Sequence, residues 1–311
     1  MAVKISLVVP CFNEEDNVER FFDEVQTVMQ KSSYTYKIIF IDDGSRDKTL
    51  ARLKELYARA NKVVKVVSFS RNFGKEAAIL SGLKHADGDY ITIIDADLQQ
   101  SPGIVVDMVN FLENNSEYDC VAAYQKHRRE ARRLRIFKKI FYKLINKICN
   151  VEFVSGASDF RTFRYPMVEA IISLPEYFRF SKGIFSWVGY KTYYMPYEVQ
   201  KRNSGTSKWC FRSLVAYALE GFISFTVFPL KIATVLGCIM SSLAIVYLFV
   251  IIYQKFFCEA SFSGYPTIVG LILLLGGIQL FVLGIMGEYI ARIYVQGKNR
   301  PIYIEKEIFG E

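Results

Sequence analysis

Residues 232–253 and 267–287 are almost free of charge, and this limits what the chain can fold into more than any other feature. Each stretch is about 20 residues, which as helix at about 1.5 Å per residue spans a hydrocarbon core of about 30 Å. They lie side by side and are apolar all round, which favours membrane spans over two buried core helices. Lys208, Arg212 and Lys231 precede the first, and Arg292, Lys298 and Arg300 follow the second. The connecting loop offers Lys255 beside Glu259. By the positive-inside rule a multi-pass protein of the cell (plasma) membrane is expected, with both termini cytoplasmic and the loop outside. The short apolar run 5–10 leads into Glu14, Glu15 and Asp16 rather than a small-residue cleavage site, so the N-terminal domain is expected to stay in the cytoplasm.

The first 125 residues read as an α/β domain. Strand-like runs at 4–10, 37–42, 63–68, 90–95 and 118–124 alternate with helical patterns at 15–30, 47–60, 75–85 and 102–113. This spacing predicts a mostly parallel sheet with helices on both faces. Ligands of such sheets bind beyond the carboxyl ends of the strands. Those ends carry Pro10-Cys11-Phe12-Asn13-Glu14, Asp42-Asp43-Gly44-Ser45 and Asp95-Ala96-Asp97-Leu98-Gln99, three acidic clusters on one edge. From 126 to 147, ten Lys or Arg residues face the single acid Glu130. Ile136, Phe137, Ile140, Phe141, Leu144 and Ile148 recur among them at helical spacings, the pattern of a basic amphipathic helix on an anionic membrane. At about 1 kcal/mol per basic residue near such a surface, several suffice to dock it. The net charge of +8 is thereby assigned to lipid and phosphate rather than to nucleic acid, which would leave the two spans unexplained. Six scattered cysteines without a C-x-x-C pair suggest neither a zinc site nor a disulfide framework. The expected organisation is 1–125 α/β core, 126–228 loop, basic interface helices and lid, 229–291 two transmembrane helices, and 292–311 cytoplasmic tail.

Carboxylates two apart on an extended chain point the same way, so Asp95 and Asp97 can reach one cation. Gln99 adds an amide oxygen. A hard divalent ion there would keep positions open for phosphate oxygens and stabilise a leaving diphosphate. A lone D-x-D is usually a solvated turn; this one ends an apolar strand. Asp42-Asp43-Gly44-Ser45 is a turn with a helix cap, compatible with an acid facing a nucleotide. Arg71-Asn72-Phe73-Gly74-Lys75 opens a helix, where anions bind, or is simply a capped helix start. Asp159, in a Gly- and Ser-rich loop, could orient or deprotonate an acceptor or serve as a cap. Residues 201–208, Lys-Arg-Asn-Ser-Gly-Thr-Ser-Lys, suit a phosphate clamp and lid, or a basic juxtamembrane linker. No G-x-G-x-x-G after a strand and no G-x-x-x-x-G-K-[ST] is present, against dinucleotide redox chemistry and P-loop hydrolysis.

Taken together, the motifs 8–15, 42–45, 70–76, 95–99, 159–161, 180–183, 202–209 and 283–290 resemble those of polyprenyl-phosphate glycosyltransferases of glycosyltransferase family two. Bactoprenol glucosyltransferases are similar, and dolichyl-phosphate mannose synthases more distantly so. The resemblance implies a GT-A (Rossmann-like) catalytic domain plus amphipathic interface helices and two transmembrane helices. It implies nucleotide binding at Pro10, Asn13, Glu14 and Asp42. It places a divalent metal ion, Mg2+ or Mn2+, and the donor diphosphate at Asp95, Asp97 and Gln99. Asp97 and Asp159 take catalytic roles, Asp159 as the proposed base, and Arg202 and Ser207 bind phosphate from the lid. The implied reaction is inverting transfer from a UDP-sugar to undecaprenyl phosphate, giving a lipid-linked sugar for cell-surface glycan modification. Glucose is the first expectation, and N-acetylglucosamine the second, because Arg179-Phe180-Ser181-Lys182-Gly183 resembles transferases of that sugar. Membrane lipids, a flippase, a downstream glycosyltransferase and a homo-oligomer are the implied partners. A non-catalytic scaffold retaining the fold would predict a broken D-x-D, and this one is intact. A processive synthase would need further spans and a Q-x-x-R-W motif.

Overall fold

The computed structural model describes residues 3–125, 157–197, 226–257 and 264–310. The expected basic helix at 126–147 and the lid at 201–208, with Arg202 and Ser207, lie outside the described residues. The chain divides into two compact units, Met1–Gly221 with Arg300–Glu311, and Phe222–Asn299.

In the first unit β-branched runs and amphipathic helices alternate: β1 Lys4–Cys11, α1 Val18–Met29, β2 Thr35–Asp42, α2 Thr49–Ala60, β3 Val64–Phe69, α3 Lys75–Lys84, β4 Tyr90–Ile93, α4 Gly103–Asn114 and β5 Cys120–Gln125. Then come β6 Ala157–Arg164, α5 Tyr165–Ser173, α6 Ser181–Trp187 and β7 Thr192–Tyr197, and, near the C-terminus, β8 Glu305–Phe309. They form one sheet in the order β7-β5-β6-β4-β1-β2-β3-β8. β1 to β4 are mutually parallel, as expected. β6 runs antiparallel to β4 and β5, and β8 antiparallel to β3, so the sheet is mixed. Ile5, Leu7, Val9, Ile38, Phe40, Val64 and Val66 supply the strand side of a core closed by Phe21 and Val25 of α1, Leu53 and Leu56 of α2, and Val105, Met108, Val109 and Leu112 of α4. Burying such side chains contributes about 1.5–3 kcal/mol each, enough to fix the register of every strand.

The sequence pattern placed a boundary at residue 125 and a tail from 292. The sheet crosses both. β6 and β7 complete the same sheet as residues 3–125, and β8 returns to its far edge beside β3. The tail is clasped by side chains. Tyr303 stacks on Phe69 with ring centroids 5.0 Å apart, Ser70 N–H donates to Ile304 O at 3.0 Å, and Lys54 pairs with Glu307 at 2.5 Å. His85 Nε2, at the end of α3, sits 2.9 Å from Glu305 Oε1 of the tail.

The second unit is two long helices, α7 Phe228–Phe257 and α8 Tyr265–Gly297. Tyr289 OH donates to Thr226 O at 2.8 Å within it. Both helices contain a segment long and apolar enough to cross a membrane, and almost none of those segments is buried. Large side chains such as Leu273, Leu280, Phe249 and Phe281 are exposed, a surface suited to hydrocarbon rather than water.

Candidate active site

The strand order reverses at β1, whose neighbours are β4 on one side and β2 on the other. A crevice opens beyond the carboxyl ends of strands at such a point. Pairing of Cys11 with Asp42 and of Val8 with Ile93 carries the loops after β1, β2 and β4 to this edge. Two of them are laced together. Asn13 N–H donates to Ser45 Oγ at 3.0 Å, Arg46 N–H to Asn13 Oδ1 at 2.9 Å, and Glu14 N–H to Thr49 Oγ1 at 2.8 Å. Asn13 holds a left-handed φ of 56°, a conformation Asn tolerates better than most residues. Pro10 lies inside β1, opposite Ile41. Asp42 is buried, accepting the Ser68 hydroxyl at 2.9 Å and Ser45 N–H at 3.2 Å. Asn13 and Asp42 thus shape the rim through bonds of their own.

Asp43 accepts Phe73 N–H at 2.6 Å and Gly74 N–H at 2.9 Å, one on each oxygen. Burial pushes its pKa up to about 6, the two N–H bonds pulling it down and Asp42 adding to the rise. Asp43 thereby docks the loop 70–74 against the β2 turn.

After β4, accessible residues alternate with buried ones: Asp95, Asp97 and Gln99 are partly exposed, while Ala96, Leu98 and Gln100 are buried. Leu98 takes a left-handed φ of 55° in this turn. The three residues expected at a metal therefore share one side. Among the described residues no group of three or more His, Cys, Asp or Glu could hold a metal ion alone. Two carboxylates and an amide supply hard oxygens and leave positions for phosphate oxygens, which fits Mg2+ or Mn2+ carried with a diphosphate.

The β4–β6 register ends with Ile93 paired to Arg161, and Asp95 and Asp159 each lie two residues beyond that pair. Lys75, the first residue of α3, bridges them, its Nζ 2.7 Å from Asp95 Oδ1 and 3.6 Å from Asp159 Oδ2. These carboxylates are 33% and 22% exposed, open enough for a ligand to reach. Burial raises the pKa of Asp159, but Lys182, Lys75 and Arg161 outweigh it and hold the carboxyl below the usual range. Burial likewise opposes the charge on Lys75, yet Asp95 and Asp159 push its pKa above the ordinary lysine value. Next to it, Glu76 accepts the backbone N–H of Ser181 at 2.9 Å and also the Ser181 hydroxyl, fixing the start of α6 against α3. Arg179 donates to Leu174 O at 2.9 Å and Ile171 O at 3.2 Å, capping the end of α5.

Sequence reasoning placed Lys75 and Glu76 in the motif 70–76 but gave neither a role of its own beyond an anion-binding helix start. No local pattern marks either, because their partners are brought in by tertiary pairing.

Residues 6–172, more than half the chain, match the model of glycosyl transferase family 2. The chain belongs to that family. Residues 228–293 match the GtrB C-terminal hairpin, which is the second unit. A glycosyltransferase of Synechocystis sp. is 38% identical over 311 residues, covering 100% of this chain and 97% of the relative. A prophage bactoprenol glucosyl transferase homolog of Escherichia coli is 40% identical over 307 residues, 98% and 99% of the two chains. The bactoprenol glucosyl transferase of Shigella phage SfII is 40% identical over 306 residues, 98% of each. Among solved structures, a glucosyl-3-phosphoglycerate synthase of Mycobacterium tuberculosis is similar at 20% identity and a TM-score of 0.49, covering 70% of this chain and 76% of that one. This family 2 glycosyltransferase has the GT-A, Rossmann-like domain that its sequence implied, and it is a transferase enzyme.

Proposed function

We propose that this glycosyltransferase moves glucose from UDP-glucose to a polyprenyl phosphate at the cytoplasmic face of the membrane, with inversion at the anomeric carbon. The observation that carries the reading is the contact of Lys75 Nζ with both Asp95, on the donor side, and Asp159, on the acceptor side. Full-length relatives named bactoprenol glucosyl transferase support the acceptor class.

In this reading the loops after β1 and β2 receive the nucleotide. Asp95, Asp97 and Gln99 hold a divalent ion, which supplies Lewis-acid stabilisation of the departing diphosphate when bound. Asp159 stays ionised and orients the acceptor. A phosphate monoester has a second pKa of about 6, so the acceptor arrives mostly dianionic and needs little help in losing a proton. Arg202 and Ser207 close over the diphosphate from the lid. Glucose is the first donor in this reading and N-acetylglucosamine the second; Arg179, in the segment that resembles transferases of the latter, donates to the carbonyls at the end of α5. β1 and β8 share one sheet, so the chain entering and the chain leaving the apolar hairpin end on the same side of the membrane. A flippase and a downstream glycosyltransferase belong to this reading as the proteins that would handle a lipid-linked product.

The test is incubation of the purified full chain with undecaprenyl phosphate and a panel of nucleotide sugars, with the lipid read by mass spectrometry. A hexose on the lipid with UDP-glucose supports the reading. An N-acetylhexosamine instead would move it to that donor, and no lipid product with any donor would end it.

A further inference from the structure

Lys75 touches both halves of the site with a single charged group. Its Nζ lies 2.7 Å from Asp95, on the donor side, and 3.6 Å from Asp159, on the acceptor side. The backbone carrying it is pinned at both ends. Asp43 holds Phe73 and Gly74 through their N–H groups, and Glu76 is tied to Ser181 on α6. Gly74, at φ 98°, makes the turn from the loop into α3. The anchor is fixed and the four-carbon stem beyond it is free to swing. Meanwhile Asp159 Oδ1 is buried without a hydrogen-bond partner, so its charge is met by surrounding cations rather than by a donor of its own.

We infer that Lys75 is a displaceable counter-ion. Before loading it joins Asp95 to Asp159, and a divalent cation entering at Asp95 and Asp97 drives it off Asp95 and onto Asp159. The inference rests on the metal reading of Asp95 and Asp97 proposed above. Its physical basis is competition. The carboxylate oxygen that Lys75 occupies is one a metal would use, and two cations cannot share it at contact distance. The displaced ammonium then neutralises Asp159 as the acceptor's phosphate arrives beside it. Lys75 is therefore a positioning residue that orders the events: donor and metal first, acceptor second. Without it, the approaching acceptor would meet a carboxylate offset only by Lys182 and Arg161.

This competition predicts effects of opposite sign, which loss of structure does not. In Lys75→Met the site loses a positive charge about 5 Å from the dication, so Mn2+ should bind roughly tenfold tighter even with strong solvent screening. Turnover should fall and the KM for polyprenyl phosphate should rise. Lys75→Arg keeps the charge and should return Mn2+ affinity to within about threefold of wild type. The measurement is free Mn2+ by electron paramagnetic resonance, titrated into the detergent-solubilised full chain without donor, with acceptor kinetics run in parallel. Tighter Mn2+ binding in Lys75→Met together with weaker acceptor kinetics supports the inference. Unchanged or weaker Mn2+ binding in a wild-type background that does bind Mn2+ overturns this inference alone. Failure of wild type to bind Mn2+ overturns the metal reading and this inference with it.

Discussion

Gly44 sits at φ 63° in the turn after β2, where a Cβ would lie 2.4 Å from the Arg71 carbonyl carbon, 2.7 Å from Asn72 N and 2.9 Å from Arg71 Cα. These are backbone atoms, so no side chain can rotate away. Gly44→Ala therefore costs about 1–2 kcal/mol for the left-handed conformation alone. It must also push back a loop held by Asp43 and by the Ser70–Ile304 bond. Losing one charge-assisted bond from Asp43 adds about 1.5–3 kcal/mol, for a total of about 3–5 kcal/mol. Gly189 provides the control: its φ is 77°, but nothing lies within 4 Å of an added Cβ. Gly189→Ala should cost only the conformational part, about 1–2 kcal/mol. Urea unfolding of both variants in detergent gives the two numbers. Because the displaced loop leads into Lys75, Gly44→Ala should also raise the KM for donor, whereas Gly189→Ala should not. Equal destabilisation by the two substitutions would refute the close approach of the β2 turn to residues 70–74.

Three further outcomes follow from the same structure. Asp43 has a folded-state pKa raised to about 6, so its neutral form is favoured by folding. The stabilisation is complete below about pH 4 and is lost as pH rises through 6, with an upper bound of about 3 kcal/mol. Unfolding free energies of wild type minus Asp43→Asn should fall accordingly between pH 4 and 7, and a flat difference would contradict the shift. Deleting 303–311 removes β8 and bares the edge of β3, so the midpoint of thermal unfolding should drop by more than about 5 °C and aggregation should rise; an unchanged melting curve would show the tail to be dispensable. A single cysteine at Ser263, in a background freed of native cysteines, should react with an impermeant thiol reagent in intact cells while one at Arg20 stays protected, and the reverse pattern would invert the topology.

The part of the site that was legible in sequence is the part built from local geometry. Asp95, Asp97 and Gln99 were expected on one side from the alternation of an extended chain; the structure keeps them accessible and Ala96, Leu98 and Gln100 buried, but through a turn with Leu98 left-handed rather than through a strand. The apolar hairpin was legible from length and charge alone. β6 was not: it carries Asp159, Arg161 and Arg164 between two other strands, so its pattern reads as a polar loop. Arg161 is tolerated there because it donates to Ser158 O at 3.1 Å and lies over the Phe185 ring at 5.0 Å. β8 reads as a charged tail because edge strands alternate polar and apolar residues, and only its pairing with β3 reveals it. Lys75 and Glu76 have partners far away in sequence, and a helix-start motif carries no trace of them.

The most direct test of the account is the initial rate of glucosyl undecaprenyl phosphate formation from UDP-glucose, measured for wild type and Asp97→Asn with Mn2+ and with excess chelator. Asp97→Asn keeps the size of the side chain and removes the charge, so its loss reports on coordination rather than packing. The account predicts product from wild type with Mn2+, suppression by chelator, and at least about a hundredfold loss in Asp97→Asn, as expected when a Lewis acid worth several kcal/mol is removed. Wild-type rates in Asp97→Asn, or full turnover in chelator, would contradict it.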